Sequence, residues 1–437
     1  MIKEWKAYLL YGLVALLVMA PLLGRGYILT LDMVFTPRLP MPHEVTSSYL
    51  FHAGLHALTF VIPSDIIQKL LLVSIVLLAS IGMHRLIRHA FAHQDLSVGV
   101  YIASIFFAIN PYTYSRFMAG QYAVLLGYAL LPWLVRSMML FAAKPGFVPA
   151  LRMGSIVTLI GIVSIHTLVA VAVLAGVGVV VYGVRHKKMR TEAMRYGLIT
   201  IGMFVILSSY WLVPLILGRG QTATTIANFS TADTQAFMTT GSTVFSRIGH
   251  SLQLQGFWAE RHSLYVLPQN RTVAWGLTSV IIFGLVLVGI RRAWNTQRSL
   301  TVWLCASSVV ALVIASGLAA GVLAALPLGA GLREPHKLIM IVALTYGLFL
   351  AYGCGICLVW LRTRHEVWYG PAAGVLFALP FLYTRVMLWG FDGQLSPRQY
   401  PSDWFALRER LSQQTEDSGQ VLFLPWHQYM SFGFAGR

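Results

Sequence analysis

The run Leu338-Ile-Met-Ile-Val-Ala-Leu-Thr-Tyr-Gly-Leu-Phe-Leu-Ala-Tyr-Gly-Cys-Gly-Ile-Cys-Leu-Val-Trp360 holds 23 consecutive residues without a charge, directly after Arg333-Glu334-Pro335-His336-Lys337. A helix needs about 20 apolar residues to cross a hydrocarbon core ~30 Å thick. In lipid every backbone N–H and C=O must be satisfied within the chain, so such a run reads as a helix. The same signature recurs at 7–23, 67–83, 97–110, 122–141, 199–217, 273–290, 300–326 and 367–388. The stretch 153–184 is too long for one span and too short for two full ones. Ser164-Ile165-His166-Thr167 interrupts it, which predicts two short helices with a hairpin there. The expected fold class is an all-α polytopic membrane protein with about eleven transmembrane helices.

Composition agrees with this. Of 437 residues, 57% are hydrophobic and 11% charged, whereas soluble domains carry about 25% charged residues. Disorder, a collagen-like fibre and a disulfide scaffold are excluded. Cys305, Cys354 and Cys357 all lie in apolar runs, and the Cys354/Cys357 spacing reads as small-residue helix packing. A net charge of +17 invites a nucleic-acid reading, but its distribution argues otherwise. With the N-terminus inside, the inner segments hold 17 of the 32 basic residues, among them Arg85, Arg88, Lys187, Lys188, Arg291 and Arg362. Only Glu4, Asp95, Glu192 and Glu366 oppose them there. That asymmetry is the positive-inside rule. It predicts a multi-pass plasma-membrane protein with no nucleic-acid partner. Val18-Met19-Ala20 resembles a signal-peptide cleavage site, but the apolar run continues past it, so a retained anchor is expected.

Three segments on the other face are long: 24–66, 218–271 and 390–437. Residues 1–389 are expected to form the membrane domain. Residues 390–437 read as an extracytoplasmic tail, the start of a truncated soluble region with a strand at 420–424. Within the first segment, 45–58 suits a short helix lying along the interface.

Eleven of the 15 acidic residues fall on this outer side, and Asp32 stands apart from the rest. It is flanked by Leu31, Met33, Val34 and Phe35, an apolar setting that is costly for a carboxylate and raises its pKa toward general-base use. A cap or turn role in an interfacial loop is the alternative. Asn110-Pro-Tyr-Thr-Tyr-Ser-Arg116-Phe-Met-Ala-Gly120-Gln121-Tyr122 reads as a short outer loop. Its Tyr112 and Tyr114 hydroxyls and Gln121 amide suit a sugar, and Arg116 suits a phosphate. An aromatic belt with a snorkelling Arg would look the same. Arg333, His336 and Lys337, just before a helix, make a second candidate phosphate site, or Glu334 simply pairs with a neighbouring base. His166 lies at the helix break, where a structural hydrogen bond is the usual role. His52 and His56 are spaced i, i+4, but no partner completes a zinc site, so no metal is expected. No nucleotide-binding or hydrolase motif is present.

Taken in order, Asp32, then Asn110-Pro111…Arg116…Ala119-Gly120-Gln121, then Arg333-Glu334-Pro335-His336-Lys337 resemble the GT-C glycosyltransferases. The chain looks most like the arabinofuranosyltransferase-like large membrane proteins of bacteria. The resemblance spans most of the chain, including Leu424-Pro425-Trp426-His427-Gln428-Tyr429. It implies transfer of a sugar from a polyprenyl-phosphate carrier to an extracytoplasmic glycan, lipid or protein acceptor, with inversion. It also implies Asp32 as general base, with Glu44 standing where members often carry a second carboxylate. No cofactor is implied, because the lipid-linked sugar is itself the substrate. A transporter or flippase for lipid-linked saccharides and a non-catalytic assembly subunit are the alternatives.

Overall fold

The computed structural model describes residues 4–96, 98–185, 190–270, 273–326 and 329–413. The expected strand at 420–424 and the Leu424–Tyr429 motif lie outside the described residues. Among the described residues every regular element is a helix. It opens with α1 (Glu4–Met19), α2 (Tyr49–Leu58), α3 (Ser64–Ala90), α4 (Gly99–Ala108), α5 (Pro111–Met118) and α6 (Tyr122–Ala143). There follow α7 (Phe147–Val163), α8 (Ile165–Arg185), α9 (Arg190–Ile216), and the short α10 (Gln221–Ala227), α11 (Thr231–Ala236) and α12 (Val244–Leu252). The remainder comprises α13 (Val273–Thr296), α14 (Arg298–Ala315), α15 (Ala320–Ala325), α16 (Met340–Arg364), α17 (Glu366–Tyr383), α18 (Leu388–Asp392) and α19 (Ser402–Gln413).

Among the described residues eight helices are long and apolar enough to cross a membrane, or nine if the bent pair Glu366–Tyr383 and Arg385–Asp392 counts as one span. The protein is therefore polytopic. The expected eleven also included α4 and α7, which run for only 10 and 17 residues. At 1.5 Å per residue α4 covers about half of a hydrocarbon core. It is apolar because it is wrapped by protein: nine of its ten residues are buried, with α3, α16 and α17 packed around it. The expected span at 300–326 also divides. It ends as α14 at Ala315, turns through Gly317 at φ +86, and resumes as the separate α15.

The bundle is organised around α16, with 94% of its most apolar window buried inside the protein. This follows from its small residues. A Cβ at Gly353 would collide with the Leu285 carbonyl of α13, and one at Gly289 of α13 with the Phe349 carbonyl of α16. The two backbones therefore touch, as small-residue helix pairs do in lipid, where packing replaces the hydrophobic effect. Cys354 is a free, buried thiol in the same helix. The break expected at Ser164 is present, its backbone extended (φ −154, ψ 108) between α7 and α8, but the two flanking helices are not both short: α8 runs for 21 residues and is long enough to span. The short helix expected at 45–58 forms as α2, over Tyr49–Leu58.

One further tie spans the fold. Tyr27 and Arg398 form an isolated antiparallel bridge (N to O 2.7 and 2.8 Å). Tyr400 donates its hydroxyl to the Phe35 carbonyl at 2.8 Å. Residues after the last span thus clamp the loop that carries Asp32.

The α13–α16 contact yields a test. Replacing Gly289 with Leu overpacks that seam at a cost of about 1–3 kcal/mol. It should lower the unfolding temperature of the detergent-purified protein, whereas Gly284→Leu, with open space at its Cβ, should not. Equal temperatures for both variants would show that the seam is not tightly packed.

Candidate functional site

The site begins with a joint between two helices. α4 ends and Asn110 adopts an extended conformation, its side chain accepting from the Thr113 amide while the Thr113 hydroxyl receives the Asn110 amide. Pro111 takes the first helical position, where no amide donor is needed. The Asn110 side-chain amide also donates to the Phe106 and Phe107 carbonyls and to the Tyr128 hydroxyl. The stretch read as an outer loop is instead the capped helix α5, and all eight of its residues are buried. Most of its polar groups, the Arg116 Nε apart, find partners inside the protein, which lets a segment with little apolar character sit in the core.

Arg116, on α5, is fully buried. Its Nη1 donates to Gln121 Oε1 at 2.8 Å, its Nη2 to His336 Nδ1 at 2.8 Å, and Glu334 Oε2 lies 3.6 Å from Nη1. The guanidinium carbon sits 4.1 Å from the Phe257 ring centroid and 5.2 Å from that of Tyr112. His336 is a single tautomer: its Nε2 faces the Gln255 carbonyl at 2.8 Å, which can only accept, so Nε2 carries the proton and Nδ1 the lone pair. Lys337 pairs with Glu334 at 3.0 Å, and the Lys337 carbonyl receives the Tyr112 hydroxyl at 3.1 Å.

Gln121 extends this network to Asp32. Its Oε1 is occupied by Arg116, so its Nε2 must point away, and it donates to Asp32 Oδ2 at 3.0 Å. The backbone supports the pairing. Gly120 turns at φ +76 against Thr30 and Met33, where a Cβ would collide with the Thr30 hydroxyl, and the Asp32 amide donates to the Ala119 carbonyl at 2.9 Å. Asp32 itself remains exposed, so the carboxylate lies at the open end of a buried polar chain.

The two carboxylates of this chain are driven in opposite directions. Desolvation by the surrounding protein raises the Asp32 pKa above its ordinary value, against the Gln121 hydrogen bond and the charges of Lys337 and Arg116. Burial would raise Glu334 as well, but Lys337 and Arg116 overcome it and hold the carboxyl at about 2. A third carboxylate, Glu260, is pushed up to about 7 by burial, despite accepting from the Gly256 and Phe257 amides.

The other candidates fall into place around this core. Arg333 is half-buried, its guanidinium 4.3 Å from the Phe229 ring and 4.5 Å from that of Phe237. Among the described residues it makes no hydrogen bond, and Asp233 lies within its electrostatic reach. His166 is half-buried at the start of α8, within electrostatic reach of Lys337, Glu334 and Arg116. Tyr114 is buried, donating to the Val266 carbonyl at 2.6 Å and accepting from Gln394. Both tyrosine hydroxyls are thus committed to backbone carbonyls. Glu44 is exposed and its side chain does not join the network. His52 contacts the Tyr122 hydroxyl at 3.3 Å, and His56 donates to the Leu39 carbonyl. Gln255, Phe257 and Glu260 were not singled out in the sequence, where they sit in a Thr-, Ser- and Gln-rich segment without a motif.

Comparison with protein-family models, with curated proteins and with solved structures found no match to this chain.

Two outcomes follow. Carbodiimides modify protonated carboxyls, so Asp32 should be labelled up to a pH above the ordinary aspartate value of about 3.9, and labelling should fall as pH rises through its pKa. Gln121→Leu removes a hydrogen bond to the charged form and should move that midpoint higher still, read by peptide mass spectrometry. A midpoint unchanged by Gln121→Leu would mean that the bond does not govern Asp32. Separately, Glu334→Ala leaves Arg116 and Lys337 buried without their anion and should cost about 3–5 kcal/mol of stability. Because the Glu334 pKa is lowered, its stabilising contribution is present above its unfolded value and is lost as pH falls toward about 2. Denaturation of wild type and variant across pH checks both sign and size.

Proposed function

We propose that this chain is a membrane glycosyltransferase of GT-C type. It moves a sugar from a polyprenyl-phosphate carrier to an extracytoplasmic glycan, lipid or protein acceptor, with inversion, and Asp32 is its general base. The observation that carries this reading is the position of Asp32: an accessible carboxylate of raised pKa, aimed by Gln121, at the end of a cationic network. Further support comes from convergence. Segments assigned from charge distribution to one face of a plasma-membrane protein with a cytoplasmic N-terminus supply every member of the network: Asp32, Arg116, Gln121, Gln255, Glu334, His336 and Lys337.

In this reading the acceptor hydroxyl gives its proton to Asp32 Oδ1, the oxygen that Gln121 leaves unused. The acceptor oxygen then attacks the anomeric carbon as the bond from that carbon to the phosphate oxygen breaks. The bonding electrons leave with the lipid phosphate. A phosphate leaving group needs a cation more than it needs an acid. Arg116 and Lys337 are engaged with Glu334, so the cation offered to the phosphate is Arg333, which makes no hydrogen bond among the described residues. Arg116 and Lys337 act behind it by holding the loops in register.

The test is sugar transfer from synthetic polyprenyl-phosphoryl pentoses and hexoses in membranes containing the full chain. Asp32→Asn should reduce transfer at least about 100-fold, the scale of general-base catalysis, with the protein still folded. Arg333→Ala should raise KM for the donor more than it lowers kcat. In wild type the rate should rise with pH through the Asp32 pKa, because the base works only when deprotonated. Equal transfer by wild type and Asp32→Asn would sink the mechanism. Movement of the intact lipid-linked saccharide across the bilayer, without transfer, would favour a carrier instead, a role that the helix breaks at Ser164 and Thr384 would also suit.

A further inference from the structure

The polar chain that ends at Asp32 does not begin at Arg116. His336 holds its tautomer because the Gln255 carbonyl accepts from Nε2, and the Arg116 guanidinium lies on the ring of Phe257. Gln255 and Phe257 flank Gly256, which sits at φ +103 with Thr239 and His250 close to where a Cβ would stand. The turn, which only glycine fits readily, is held from both sides. The Gly256 carbonyl accepts from the Thr240 amide at 2.9 Å, and the Gly256 amide donates to Glu260 Oε2 at 3.0 Å. Glu260 follows Trp258 in the short turn Trp258–His262 and lies within electrostatic reach of Arg116. Neighbouring Arg261 is occupied by the Met238 and Thr239 carbonyls, and His250 by that of Thr240. The contact that ties down the Gly256 amide is therefore the Glu260 carboxylate.

We infer that Glu260 is a positioning residue for Asp32: by fixing the Gln255–Phe257 turn it sets His336 and Arg116, and through Gln121 the orientation and proton affinity of the Asp32 carboxylate. Nothing in its sequence surroundings marks it, and it touches neither Asp32 nor Gln121. Its effect travels through five contacts: Glu260 to Gly256, Gln255 to His336, His336 to Arg116, Arg116 to Gln121, and Gln121 to Asp32. The link is directional, because each donor and acceptor in it has one permitted role once the Gln255 carbonyl is placed.

The inference is tested without any assumption about the reaction. In the detergent-purified full chain, carbodiimide labelling of Asp32 is followed against pH for wild type, Glu260→Ala and Glu260→Gln. Glu260→Ala frees the Gly256 amide, loosens the turn and should move the Asp32 labelling midpoint upward, in the direction of Gln121→Leu. Glu260→Gln keeps an oxygen acceptor for Gly256 and should restore most of the wild-type profile. Arg261→Ala, with the same loop perturbed but the Glu260–Gly256 bond intact, should leave the midpoint in place. An unchanged midpoint in Glu260→Ala overturns the inference. So does an equal shift in Glu260→Ala and Arg261→Ala, which would report general loosening of the loop. Should the transfer assay succeed, Glu260→Ala should lower kcat about tenfold or more with little change in donor KM, as misplacement of a reacting group does. If wild type transfers no sugar, the functional reading fails while the labelling result still decides the role of Glu260.

Discussion

A guanidinium without access to water needs closely placed partners, and the two Nη groups of Arg116 impose that need on the residues around them. Burying a charge costs several kcal/mol unless its partners are placed with good geometry. Arginine is suited to this because its fork of donors is rigid and its faces stack on aromatic rings. Here the fork is answered by Gln121, His336 and Glu334, and the faces by Phe257 and Tyr112. These residues come from three stretches of chain that are remote in sequence. Satisfying one cation therefore fixes the register of the α5–α6 turn, the loop before α16 and the 255–257 turn together.

The same cation sorts the carboxylates around it. Glu334 is in direct contact with Lys337 and near Arg116, and it is held as an anion across ordinary pH. Asp32 meets Arg116 only through an intervening amide, and burial outweighs what remains of the attraction. Two acids that share one pair of cations thus acquire different characters, one fixed in charge and one that holds its proton more tightly than an ordinary aspartate. Divergence of this kind is how a protein separates a structural carboxylate from one able to take up a proton.

The apolar runs disclosed the membrane class and most of the long helices, because the demand of lipid for internally bonded backbone is written in composition. They said less about α4 and α7, since a helix enclosed by other helices is as apolar as one facing lipid and need not be as long. The stretch 110–121 read as a loop because it lacks an apolar period. It is buried because Asn110, Thr113 and Arg116 find partners, and pairing across 220 residues between Arg116 and His336 leaves no local trace. The cluster's membership was legible as a set of basic and aromatic outer residues. Its internal order was legible only in part: pairing of Glu334 with a neighbouring base was one of two readings, and Lys337 takes it, whereas the place of Arg116 beside Glu334 appears only in the fold. Glu260 looked like one of several surface acids.

The bridge between Tyr27 and Arg398 has a consequence in time. The loop bearing Asp32 emerges early in synthesis, whereas the strand partner that clamps it is made near the end of the described chain. At about 5–20 residues per second, the loop waits for roughly half a minute without that clamp. A ribosome that stops short of Arg398 releases a chain that carries every candidate residue of the site but not the bridge that closes over the Asp32 loop.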